Sequence, residues 1–206
     1  MDVFEKCIEK FGSSQLCSRV QQIVQLLADL RQCMKSQEEI DCFSDCFEKC
    51  EKEGCEETCA DALVMFMGTM QAAMLGKRAS QVAASRGLSH VDAVALVFEE
   101  ELKNVEEEDC PEKAISAQAL AVAVIELNNS FQSVANLRDQ AEDVLLLMAP
   151  ALAVAHQCIG KDVFRYLELM KVLIKEETVK RIAAALEEGA VLVGNTTIKF
   201  KPVAKH

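Results

Sequence analysis

Ten cysteines carry the densest chemistry in this chain, and eight of them fall between Cys7 and Cys59. A thiol can close a disulfide, bind a soft metal as its thiolate, or attack as a nucleophile, and spacing separates these roles. Cys46 and Cys50 are four apart, as are Cys55 and Cys59, with Glu51-Lys52-Glu53-Gly54 between the pairs. Residues four apart share a helical face, and glycine supplies the left-handed position that ends a helix. Two helices folded back at Gly54 bring Cys50 to Cys55 and Cys46 to Cys59. Nested disulfides, Cys46–Cys59 and Cys50–Cys55, are the expectation. Loop closure gives the inner rung about 2 kcal/mol and the outer about 3 kcal/mol. Phe43 and Phe47 sit on an adjacent stripe, placed to pack beneath the rungs.

The other thiols are less determined. Cys42 extends the stripe at Cys46 and Cys50, but the position opposite, near Leu63, offers no sulfur. Its partner must be Cys7, Cys17 or Cys33, and the pairing of these four stays open. Cys110 and Cys158 either pair with each other or stay as buried thiols, and the second is the expectation. A Cys₄ zinc site, a Cu(I) site and unpaired thiols weigh less than disulfides. Structural zinc favours tighter knuckles on turns, and no histidine lies near. No CXXC is present, which argues against a thioredoxin-like catalyst. No metal or other cofactor is expected.

Cys46-Phe-Glu-Lys-Cys50 and Cys55-Glu-Glu-Thr-Cys59 resemble the twin CX3C hairpins of small Tim chaperones and plant α-hairpinins. Cys7 and Cys17, nine residues between them, resemble half of a CX9C motif. The resemblance covers residues 42–59 for the most part. For the mitochondrial families it implies import without a cleaved presequence and oxidation in the intermembrane space.

The elements that must position these thiols read as helices. A short helix over Asp2–Lys10 breaks at Gly12, and Ser14 is placed to cap a second helix to Lys35. Ser36 and Glu39 form a capping box for a third helix to Glu53. A fourth runs from Cys55 to Arg86, with Gly68 and Gly76 either soft spots or points of close helix approach. His90 to Val105 follows. The next helix starts at Cys110-Pro111 and extends to Met148, where Pro150 kinks or ends it. Lys161–Lys175 and Glu177–Glu188 complete the set. Val191, Val193, Ile198 and Phe200 then alternate around Gly194-Asn195, the signature of a hairpin. The fold class expected is all-α: a helical bundle with a disulfide-stapled N-terminal α-hairpin and a small C-terminal β-hairpin. The acidic run at 106–109 divides a cysteine-rich region, 1–108, from a helical region, 109–206, unless the two are one continuous domain.

Composition bounds the function. Of the 206 residues 50% are hydrophobic, with one Tyr, no Trp, eight Gly and three Pro, which favours helix. A net charge of −11 argues against nucleic acid and anionic membrane surfaces. The longest unbroken apolar runs, 62–70 and 144–155, fall short of a spanning helix, so no transmembrane segment is expected. His90, His156 and His206 do not cluster. The carboxylate runs 99–101 and 106–109 lack di-iron spacing and read as solvated faces. Two glycosylation sequons start at Asn128 and Asn195, and matter only in a secreted chain. Met65, Met67, Met70 and Met74 read as core filler before they read as a ligand pocket. The expectation is a non-enzymatic structural or assembly subunit with protein partners, in the mitochondrial intermembrane space. The competing expectation is an extracellular, disulfide-stapled helical carrier of a lipid or other small apolar ligand. An enclosed apolar cavity would favour the carrier, and a broad exposed apolar face the subunit.

Overall fold

The computed structural model describes residues 3–35, 39–110, 112–160, 163–171 and 174–204. The fold is all-α with one small antiparallel sheet at the C-terminus. It forms two compact units, 1–66 and 67–206. The division falls inside a helix and not at the acidic run 106–109, which only joins two helices of the second unit.

In the first unit α1 (Val3–Phe11) turns at Gly12 into α2 (Ser14–Cys33). Gly12 has φ 66°, the left-handed turn that glycine alone takes without strain. Ser13, not Ser14, caps α2, its hydroxyl accepting from the Leu16 amide at 3.3 Å. The hairpin follows as α3 (Glu39–Glu53) and the start of α4 (Glu56–Arg86). The expected capping box on Ser36 lies outside the described residues. The core of this unit is small: Leu26, Leu30, Ala62, Leu63 and Phe66 with Cys42, Cys46, Cys50 and Cys59. Phe43 packs edge-on against Phe66, ring centres 6.1 Å apart. Phe47, expected beside it, is exposed.

The second unit holds the larger core. The later part of α4 buries Ala72, Leu75, Ala79 and Ala83, a stripe at helical spacing. Then come α5 (His90–Glu106), α6 (Glu112–Ser133), a 3-10 turn (Arg138–Gln140), α7 (Ala141–Leu145), α8 (Met148–Ile159), α9 (Val163–Met170) and α10 (Glu176–Glu188). α6 and α8 are the central pair, lined with buried alanines that let backbones approach closely.

Two expectations fail here. α6 ends at Ser133, well short of Met148, because the chain turns between Val134 and Leu137 and re-enters as α7. Pro150 neither kinks nor ends a helix. It lies in the first turn of α8, where its missing N–H has no intrahelical partner to lose. By length and composition Glu56–Arg86 and Arg138–Ile159 also qualify as possible membrane spans, although their unbroken apolar runs are short. Of the most apolar 18 residues in the second stretch, 67% are buried. It is divided into separate elements, so it serves as core.

β1 (Ala190–Val193) pairs with β2 (Thr196–Lys199) through Gly194-Asn195. Val191, Val193 and Ile198 face the core while Leu192 points out. The chain beyond β2 returns along α10. The Phe200 amide donates to the Gly189 carbonyl at 2.9 Å, and the Val203 amide to the Leu186 carbonyl at 2.9 Å.

Candidate thiol centre

The turn between α3 and α4 places the first pair of sulfurs. Gly54, at φ 66°, follows the last turn of α3, and the Cys55 amide donates to the Cys50 carbonyl at 2.9 Å. This is the Schellman arrangement, which characteristically brings together the side chains at the two ends of that hydrogen bond. Cys50 and Cys55 therefore meet because of how the helix stops. One helical turn away on each arm, Cys46 and Cys59 face one another with their sulfurs 2.7 Å apart. Cys50 also reaches Cys59 as well as Cys55. The sulfurs of Cys46, Cys50 and Cys59 all lie within 4.8 Å of one another.

All four stand as thiols in this structure, so neither expected rung is closed. The Cys46–Cys59 separation is longer than a bonded pair, near 2.05 Å. Cys46, Cys50 and Cys59 are buried, and Cys55 is partly exposed. Hydrogen bonding to Cys50, aided by burial and the Cys50 charge, pushes the Cys55 thiol up to about 11. Desolvation, then contact with Cys46 and Cys50, pushes Cys59 upward as well.

The other six cysteines are bridged. Cys7–Cys17 fastens α1 to α2, with Cα atoms 5.5 Å apart, and Cys33–Cys42 fastens α2 to α3, at 5.8 Å. Cys110–Cys158 joins the approach to α6 with the end of α8, at 5.6 Å. This corrects the expectation of two buried thiols. The pair is 48 residues apart in sequence, so local spacing carries no signal of it.

Around the hairpin, α2 is ion-paired to both arms. Asp29 meets Lys49 of α3 at 2.9 Å, and Arg19 meets Asp61 of α4 at 2.5 Å. These pairs are half exposed and worth little individually. They link α2 to each arm of the hairpin.

The remaining candidates disperse. His90 opens α5 and His156 lies in α8, while His206 falls outside the described residues. Glu100 and Glu101 accept from Arg78 at 2.9 and 3.2 Å, and Glu99 pairs with Lys103. The two sequon asparagines differ, because Asn195 is exposed at the β-turn whereas Asn128 is not free to serve as a glycosylation acceptor. Asn128 is buried and donates to the Ala141 carbonyl at 2.7 Å, holding the start of α7 against α6. Asn195 donates its side-chain amide to Asp92 at 3.2 Å.

Met65, Met70 and Met74 are 40%, 48% and 60% exposed, so three of the four methionines are not core filler. The second unit has a solvent-open groove of about 570 Å³, lined in part by Ala72, Gly76, Leu127, Phe131 and Val134. None of those methionines lines it.

Asp92 is not among the residues expected to matter. It accepts from the Asn195 amide at 2.6 Å and from the Ser89 hydroxyl at 2.7 Å, tying the β-turn to the start of α5. Ser89 followed three residues later by an acidic side chain was its signal. In comparison with known protein families, curated proteins and solved structures, the chain matches none.

Proposed function

We propose that this chain is a non-enzymatic helical subunit of a larger assembly, resident in an oxidising compartment, the mitochondrial intermembrane space. The observation that carries the reading is the set of three bridges, Cys7–Cys17, Cys33–Cys42 and Cys110–Cys158. Disulfides of this density persist where thiols are not kept reduced. The intermembrane space is favoured over the exterior by the CX3C resemblance.

Two further observations support a subunit over a carrier. The groove of the second unit is open and not an enclosed cavity. Met70 and Met74 project from α4 into solvent, flexible apolar side chains of the kind used at protein contacts. The polar groups Asp92 and Asn128 are committed to internal hydrogen bonds, which supports a structural role over a catalytic one.

The test is to trap thiols in intact cells with an alkylating reagent and then map peptides without reduction. The expected outcome is the three bridges in native protein, protection from added protease in intact mitochondria that is lost once the outer membrane is ruptured, and migration above the monomer on native gels. Recovery of all six bridge cysteines as alkylated thiols would remove the oxidising-compartment reading. Recovery from the culture medium as a monomer would transfer the case to the carrier.

A further inference from the structure

We propose that Cys46, Cys50, Cys55 and Cys59 form a tetrathiolate site that holds one zinc ion across the α3–α4 hairpin. The three bridges that carry the oxidising-compartment reading use other cysteines, so that reading and this one fail separately, while zinc here would withdraw the support that the CX3C resemblance gives to the intermembrane space.

Three bridges take up six cysteines and leave these four together. A ladder of two rungs would separate its sulfurs into two pairs, one helical turn or about 5.4 Å apart along the arms. The observed arrangement is a single cluster. Cys46 meets Cys59, Cys59 also meets Cys50, and Cys50 also meets Cys55. Sulfurs belonging to different rungs are thus in contact, and three of them fit within 4.8 Å.

Zinc binds thiolate at about 2.3 Å in a tetrahedron, which sets sulfur–sulfur edges of about 3.8 Å. The cluster brackets that edge. Cys46 and Cys59, at 2.7 Å, need to part by about an ångström, a change within reach of side-chain torsions.

Glu51, Glu53, Glu56 and Glu57 flank the turn, and Glu53 and Glu56 add to the rise that Cys50 causes in the Cys55 pKa, so the thiolates form together with the bound ion, whose charge offsets half of theirs. Three ligands are buried, while Cys55 is partly exposed and gives the ion an entry path. On binding, four S–H bonds break, four protons leave to solvent, and four Zn–S bonds form. No electron is transferred, so the site needs no oxidant and coexists with the three bridges.

The test uses the full chain, produced with zinc in the medium and purified without reductant, with the three bridges verified by peptide mapping. The expected result is one zinc per chain by metal analysis and native mass spectrometry, with four cysteines alkylated only after chelation. Exchange of cobalt(II) into the wild-type chain should give the visible absorption of a tetrahedral cobalt thiolate. That readout does not depend on any variant folding. Cys50→Ser should lose stoichiometric zinc, whereas the Cys110→Ser/Cys158→Ser double variant should keep it. The proposal is overturned if all ten cysteines map to bridges that include Cys46–Cys59 and Cys50–Cys55. It is equally overturned if the four thiols alkylate as fast with zinc as without it.

Discussion

At Asp92 the charge of one carboxylate holds the C-terminal hairpin to α5. The Asn195 backbone amide, then the Ser89 hydroxyl, lower its pKa below the ordinary 3.8, against an opposing push from burial. A group whose pKa is depressed by folding contributes stability above its unfolded value and loses it as pH falls through the folded one. Wild-type stability should therefore drop below about pH 4. Asp92→Asn should cost about 2 kcal/mol at pH 7, in line with hydrogen bonds to a charged group, and should lose less on acidification. Urea titrations at pH 7 and pH 3 check both, and an unchanged acid slope in the variant would refute the assignment. Two glycines of α4 make a second residue-scale contrast. A Cβ on Gly68 would stand 2.5 Å from the Val122 Cβ and 2.7 Å from the Ala119 carbonyl oxygen. Gly68→Ala should thus destabilise by about 1–3 kcal/mol through overpacking. At Gly76 the nearest atom is a Leu127 methyl at 3.6 Å, an ordinary contact. Gly76→Ala should stabilise by up to about 1 kcal/mol through helix propensity. Thermal melts of the pair should move in opposite directions.

Between elements, the Cys110–Cys158 bridge closes the longest loop of the three. Chain-entropy arithmetic for a loop of that size gives about 4 kcal/mol, against about 3 kcal/mol for each short one. The Cys110→Ser/Cys158→Ser double variant should accordingly lower the urea midpoint more than Cys7→Ser/Cys17→Ser does. An equal loss would mean that chain entropy does not govern these bridges. The same element boundaries show what the sequence reveals. The α3–α4 hairpin was legible because its turn is local, announced by Gly54 at the end of α3. The C-terminal hairpin was legible for the same reason, through Gly194-Asn195 and alternation. The end of α6 was not legible. Apolar residues continue at helical spacing past Ser133, and the turn at 134–137 contains no glycine or proline to announce it. Pro150 misled because a proline opening a helix and one ending a helix are alike until the preceding turn is known. Phe47 and the exposed methionines were misread because periodicity marks a stripe as apolar without showing whether anything covers it.

Across the whole molecule the two units are stabilised by different chemistry. Among the described residues, nine form the core cluster of the first and four of them are cysteines, with the bridged Cys7 and Cys17 buried as well. The second is filled by Leu, Val, Ile and Ala, including Leu120, Leu147, Ile182 and Leu186, which are almost fully excluded from solvent. Alkyl burial at about 25 cal/mol per Å² does not depend on redox state, whereas a bridge is lost on reduction. Reductant should therefore act unequally. The amides of α1 and α2 in the first unit should lose protection by tenfold or more when Cys7–Cys17 and Cys33–Cys42 open. Those of α6 and α8 should retain most of theirs, because the loss of about 4 kcal/mol at one bridge falls on a larger alkyl core. If the four-thiol centre binds zinc, the α3–α4 turn should stay protected under reductant plus zinc and open when a chelator is added. Hydrogen exchange followed by mass spectrometry resolves all of these segments in one experiment. A uniform, simultaneous loss of protection in both units would mean that the bridges stabilise the molecule as a single cooperative body. A turn indifferent to the chelator would remove zinc from the hairpin.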